Sequence, residues 1–179
     1  LFGHVLDVVG DRAPVLLCTA HSDPRVVMDL TRRAGEMGGL PMVTAPYVTE
    51  ITESQIAAFF EQVAPLSRTG IMVYNAPGIG ITLSAGLIER LCDVAGVVAL
   101  KQGDLSPATV DRLAATVCGR IRVLAASDLV FPGAIVAGFD GFSSTNSCAL
   151  PELIQQTWTA LGRGDLPEAT RLHRAWYPF

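Results

Sequence analysis

The chain has 179 residues, half of them hydrophobic and 17% charged, with a formal net charge of −4. That apolar fraction excludes a disordered chain, and the longest uncharged runs fall well short of the ~20 residues that a membrane span needs. With no basic cluster beyond Arg32-Arg33, the charge argues against nucleic acid or an anionic membrane surface as a partner.

Leu1 falls within a helical stretch, so no signal peptide is expected, and both ends of the chain read as cut. From there short β-rich runs alternate with amphipathic segments. A strand over Val15–Ala20 leads to a helix over Pro24–Met37, opened by Ser22-Asp23. Met42–Ala45 leads to a helix over Glu53–Leu66, opened by Thr52 with Gln55. Gly70–Asn75 leads to Ser84–Val94, and Val97–Lys101 leads to Pro107–Cys118, opened by Ser106. Ile121–Ala126 leads to Leu129–Ala137. The last strand, Gly141–Thr145, precedes helices over Pro151–Leu161 and from Leu166 to about Trp176. The strands are apolar almost throughout, as parallel strands covered on both faces should be.

Repeated βα units at this spacing fit an open doubly wound sheet or a (β/α)8 TIM barrel. No GxGxxG follows the first strand. Pro77-Gly78-Ile79-Gly80 lacks the third glycine and the acidic residue of a dinucleotide site. Polar residues gather instead where strands end: Thr19, Tyr47, Tyr74-Asn75, Lys101-Gln102, Ser127-Asp128 and Ser144-Thr145-Asn146. Barrels carry their chemistry on that rim. An incomplete barrel, forming one partial domain over residues 1–179, is the expected fold.

Cys18, Cys92, Cys118 and Cys148 lie far apart, without a CxxC pair or a histidine at ligand spacing. They read as small buried hydrophobes in a reducing, cytoplasmic setting, with no metal expected. His4 and His173 fall in helical segments and read as surface or interface residues. His21-Ser22-Asp23 cannot face one another in triad geometry, because contiguous side chains diverge, and a helix cap is the simpler reading.

Lys101 is the single lysine among 13 basic residues and ends a buried strand. An ammonium between apolar walls is costly. The position alone leaves two readings open: a neutral amine fit for Schiff-base chemistry, or a chain that snorkels to solvent or pairs with Asp104. Tyr74 ends the preceding strand, where a phenol beside an amine could shuttle protons. Ser143 and Ser144 follow the last strand and could line a substrate pocket or cap the next helix.

Tyr74-Asn75-Ala76-Pro77-Gly78, followed one βα unit later by Val97–Lys101, resembles the dihydrodipicolinate synthase / N-acetylneuraminate lyase family. That family's signature is a strand ending Tyr-Asn-x-Pro and a next strand ending in an imine-forming lysine. Ala45-Pro46-Tyr47, Leu124–Asp128 and Gly138–Ser144 also match family segments in order. The resemblance implies a (β/α)8 barrel assembled as a homodimer or homotetramer, with no metal or organic cofactor. It implies that Lys101 attacks the ketone of pyruvate or another 2-oxo acid and that Tyr74 relays protons, with an aldehyde as possible partner. Tyr47, Ile79, Ser143 and Ser144 would face the substrate.

Departures from the family pattern are as informative. Ile79 stands where the family's synthase carries an arginine that holds a dicarboxylate, and Val48 where it carries a second tyrosine. Ala126 and Ser127 replace a glycine and an aspartate. These changes point away from the lysine-pathway synthase, 4-hydroxy-tetrahydrodipicolinate synthase, and toward a less acidic second substrate. The predicted strands correspond to the third to eighth of the family barrel, so its first two strands, its Gly-Thr-Thr-Gly-Glu loop and its last helices are expected outside this sequence. The reading from another class is a non-catalytic barrel that binds a small acid.

Overall fold

A computed structural model describes residues 1–47 and 50–178. Six strands form one wholly parallel sheet in the order of the sequence: β1 (Leu16–Cys18), β2 (Leu40–Thr44), β3 (Ile71–Asn75), β4 (Val97–Gln102), β5 (Arg122–Ala125) and β6 (Gly141–Phe142). Consecutive strands pair throughout, so the sheet curls into part of a (β/α)8 barrel. Helix α1 (Phe2–Val9) precedes the sheet. Helices α2 (Pro24–Glu36), α3 (Glu53–Val63), α4 (Ala85–Leu91), α5 (Pro107–Thr116) and α6 (Phe131–Ala137) connect the strands, and α7 (Pro151–Gly162) and α8 (Leu166–Trp176) close the chain. Among the described residues no helix is long and apolar enough to cross a membrane.

Local chemistry accounts for most boundaries. The Asp23 carboxylate accepts from the Arg25 amide at the start of α2, Thr52 and Gln55 form a reciprocal capping box on α3, and the Ser84 hydroxyl accepts from the Leu87 amide on α4. Ser106 departs from expectation. Its hydroxyl donates to Thr109 Oγ1, and its amide donates to the Asp104 carboxylate, leaving α5 without a serine cap. Helix α6 begins at Phe131, two residues later than predicted. Pro132 sets its first turn, and Leu129 and Val130 stand exposed in the preceding turn. Strand β6 stops at Phe142, because Ser144 turns its hydroxyl to the Ser147 amide at 3.0 Å, a local bond that ends extended pairing.

Alternation along each strand gives the sheet two different faces. Val43, Val73, Leu100 and Val123, each 1% exposed or less, pack against the helices in the main core, and Leu17 is buried on the same side of the sheet. The opposite, concave face carries two cross-strand rows: Cys18, Met42, Met72 and Ala99, then Thr44, Tyr74, Lys101 and Leu124. The expectation of strands covered on both faces holds only in part. β1 forms one edge of the sheet, where Leu16 and Cys18 are exposed. Cys148 is exposed as well, and Cys92 and Cys118 are half-buried, so the cysteines are not a uniformly buried set.

An aromatic cluster joins the last helices to the sheet. Phe131 stacks on Phe142 with centroids 3.7 Å apart and contacts Trp176, whose indole N–H donates to the buried Thr157 hydroxyl at 2.9 Å. His173, expected at the surface or an interface, lies half-buried within the chain, edge-on to Phe131 and Trp176 and stacked on Tyr177. Its Nε2 donates to the Asp128 carbonyl at 2.7 Å, which fixes the ring's tautomer. Helix periodicity places His173 on α8, but its burial comes from the Phe131 ring at the start of α6 and from its neighbours on α8. Phe131→Ala removes the centre of this cluster. It should cost about 3–5 kcal/mol, read as a lowered midpoint in urea unfolding.

Candidate active site

β3 and β4 pair so that Tyr74 and Lys101 stand directly opposite each other at the carboxyl ends of neighbouring strands. The Lys101 ammonium lies over the phenol ring, its Nζ 4.4 Å from the ring centroid, in reach of a cation–π contact. The lysine is half-buried, and that burial pushes its amine below the usual lysine range. Only an ionised sulfur on nearby Cys18 would oppose that shift. None of the ion pairs among the described residues includes Lys101. Asp104 does not take it up: its carboxylate accepts from the Ser106 amide and the Thr109 hydroxyl.

The rim dipeptides grouped by the sequence divide between the two faces. Tyr74 and Lys101 belong to the concave face. Asn75 and Gln102 are fully buried on the helix side. Thr19 is also fully buried toward α2, its hydroxyl 3.2 Å from that of Thr31, so Cys18 is the β1 residue that joins the concave row. Cys18, read from the sequence only as a small buried residue, and Thr44, which no local pattern marks, both lie on this face. The signal that finds them is register: Cys18 is reached through Met42 and Met72, and Thr44 pairs with Tyr74.

Tyr47 and Ile79, both exposed, meet Tyr74 in one narrow crevice with Thr44, Ala76 and Ile81, a wall without a charged side chain. Gly80 makes that meeting possible. Its φ is +155°, and a Cβ there would stand 2.7 Å from the Cβ of Tyr47. Gly80→Ala therefore combines strain with a clash. Its expected effect is a loss of about 1–3 kcal/mol in urea unfolding, together with a changed near-ultraviolet tyrosine signal. Val48 lies outside the described residues.

The two serines part company. The Ser143 amide extends the β6 ladder by donating to the Ala125 carbonyl at 2.8 Å, and alternation from Gly141 puts Ser143 on the concave side. Ser144 accepts from the Ser147 amide and serves the turn over Asn146–Cys148. Asp128 ties two rim loops: one carboxylate oxygen accepts from the Thr145 amide and hydroxyl and from the Asn146 amide, while the other is buried without a protein partner. His21 accepts from the Asp23 amide beside the α2 cap, away from any triad. Among the described residues no group of three His, Cys, Asp or Glu side chains converges on a metal position.

A curled parallel sheet with helices outside, and with its lysine–tyrosine pair at the strand carboxyl ends, defines a protein of the (β/α)8 barrel class. The model of the dihydrodipicolinate synthetase family matches residues 1–179, and the chain belongs to that family. It is 31% identical over 181 residues to the 4-hydroxy-tetrahydrodipicolinate synthase of Heliobacterium modesticaldum, covering 99% of this chain and 60% of that one. Among solved structures, a dihydrodipicolinate synthase from Bacillus anthracis superimposes with a TM-score of 0.90 at 26% identity, over 97% of this chain and 60% of the other. YagE, an Escherichia coli K12 prophage protein of the dihydrodipicolinic acid synthase family solved with pyruvate, superimposes with a TM-score of 0.91 at 26% identity, over 98% and 61%. The chain thus spans about three-fifths of the length of the relatives it matches.

Proposed function

We propose that the protein is an enzyme that forms an imine between Lys101 and the ketone carbon of pyruvate or a related 2-oxo acid, and makes or breaks a carbon–carbon bond through it. The observation that carries this reading is the half-buried Lys101 amine, held below the usual lysine range and laid against Tyr74. Burial favours the neutral amine, the form that attacks a carbonyl. Attack gives a carbinolamine, loss of water gives the imine, and loss of a proton from the adjacent carbon gives an enamine. The enamine carbon attacks an aldehyde, and hydrolysis returns the free lysine. Tyr74 relays protons in the addition and dehydration steps, and no metal or organic cofactor takes part.

Tyr47, Ile79 and Ser143 face the reacting molecules, and Ser144 shapes the loop beside them. The uncharged wall around Ile79 supports an aldehyde partner less acidic than a dicarboxylate, although the Heliobacterium relative is a 4-hydroxy-tetrahydrodipicolinate synthase. The family resemblance supports assembly of the whole protein as a homodimer or homotetramer. Borohydride reduction in the presence of pyruvate, followed by peptide mapping on a mass spectrometer, tests the reading. A stable adduct on the Lys101 peptide is expected. A folded protein that gives none with pyruvate or longer 2-oxo acids overturns the imine, and a barrel that only binds a small acid takes its place.

A further inference from the structure

Directly behind the lysine–tyrosine pair, Asn75 and Gln102 pair in register one residue further along β3 and β4, and neither has any solvent exposure. Asn75 Nδ2 donates to Gln102 Oε1 at 3.1 Å and to the Leu83 carbonyl at 3.2 Å, and Asn75 Oδ1 accepts from the Leu83 amide at 2.9 Å. Gln102 Nε2 donates to the Asp104 carbonyl at 2.8 Å. The Gly103 amide donates to the Asn75 carbonyl at 2.8 Å, and a Cβ on Gly103 would come within 2.6 Å of that carbonyl oxygen.

Two amides in an apolar layer beside Val73 and Leu100 cost desolvation that hydrocarbon would not. The backbone ladder already joins β3 to β4, so the amides are not needed to pair the strands. Their partners lie on the loops that leave those strands: Leu83 closes the loop that carries Ile79 and Gly80, and Asp104 begins the loop after β4. A fully satisfied buried network holds one arrangement. Here it holds the strand ends from which Tyr74 and Lys101 project to the other side.

We propose that the Asn75–Gln102 amide pair is the positioning device of the site, holding the Lys101 amine against the Tyr74 ring by locking both strand ends and their loops from the helix side. Its consequence for catalysis rests on the imine reading, whereas its effect on the amine does not. The titratable groups toward Lys101 are Tyr74 from β3 and Cys18 from β1. β5 offers Leu124 in that row.

The experiment compares wild type, Gln102→Met and Gln102→Glu in the full-length protein. It follows Lys101 acetylation against pH by peptide mass spectrometry, the rate of borohydride-trapped pyruvate imine, and circular dichroism. In folded Gln102→Met, Lys101 should label like an ordinary lysine, with its profile moved to higher pH, and imine formation should slow at least tenfold. Gln102→Glu, neutral when buried, keeps both the acceptor and a donor and should restore both values. Should Gln102→Met not fold, Asn75→Ser, whose shorter side chain gives up the bond to Gln102, carries the same measurements. An unchanged labelling profile and trapping rate in a folded variant, even one that melts earlier, overturns the proposal. A shifted labelling profile in a protein whose wild type traps no pyruvate upholds the positioning role and overturns the imine reading alone.

Discussion

Lys101→Met should abolish the pyruvate adduct, lower turnover by at least about 10³-fold, and raise the thermal midpoint measured near neutral pH. The first two effects follow from loss of the nucleophile. The third follows from the direction of the amine's shift: burial holds the folded-state value below the ordinary 10.5, so the unfolded chain binds the proton more tightly. The protonated lysine therefore weakens folding. That penalty is full below the folded value and fades as pH rises through the interval up to 10.5. The stabilisation of Lys101→Met should be greatest near neutrality and shrink on the alkaline side. Imine formation in wild type, which needs the neutral amine, should rise with pH and level off below 10.5. A trapping rate that still climbs above that value, or a methionine variant less stable than wild type at neutral pH, would contradict a half-buried, destabilised amine.

Tyr74→Phe separates the ring from the hydroxyl. The ring lies 4.4 Å from the amine and would remain, so the cation–π contact and the stability should change little. In the proposed mechanism the hydroxyl carries the proton, so its loss should slow pyruvate trapping by on the order of 10² to 10⁴. The adduct should still form on Lys101 after long incubation, which distinguishes a slow site from a broken one. Equal trapping rates in the two proteins would reduce Tyr74 to a platform for the ammonium, and the proton would have to travel by another route.

The sequence by itself determined the order and type of the strands and helices, because each buried parallel strand is a short apolar run and half of the described helices open on a side-chain cap. It also singled out Lys101 and Tyr74, since a lone lysine ending a buried strand beside a Tyr-Asn-x-Pro turn is a local signal. What it could not supply was the side on which each residue lies. Alternation says that Tyr74 and Asn75, or Cys18 and Thr19, point opposite ways, but not which way. That choice follows from where the helices settle, and only the fold shows Thr19, Asn75 and Gln102 turned to the helices and Cys18 joined to the lysine's face. The same holds for His173, which packs against Phe131 far earlier in the chain, whereas Ser144 is drawn from the strand by a local bond within its own turn. Periodicity and caps act between residues a few places apart and can be read along the chain. Facing, burial and the buried amide pair depend on contacts between distant segments, and the tertiary structure alone decides them.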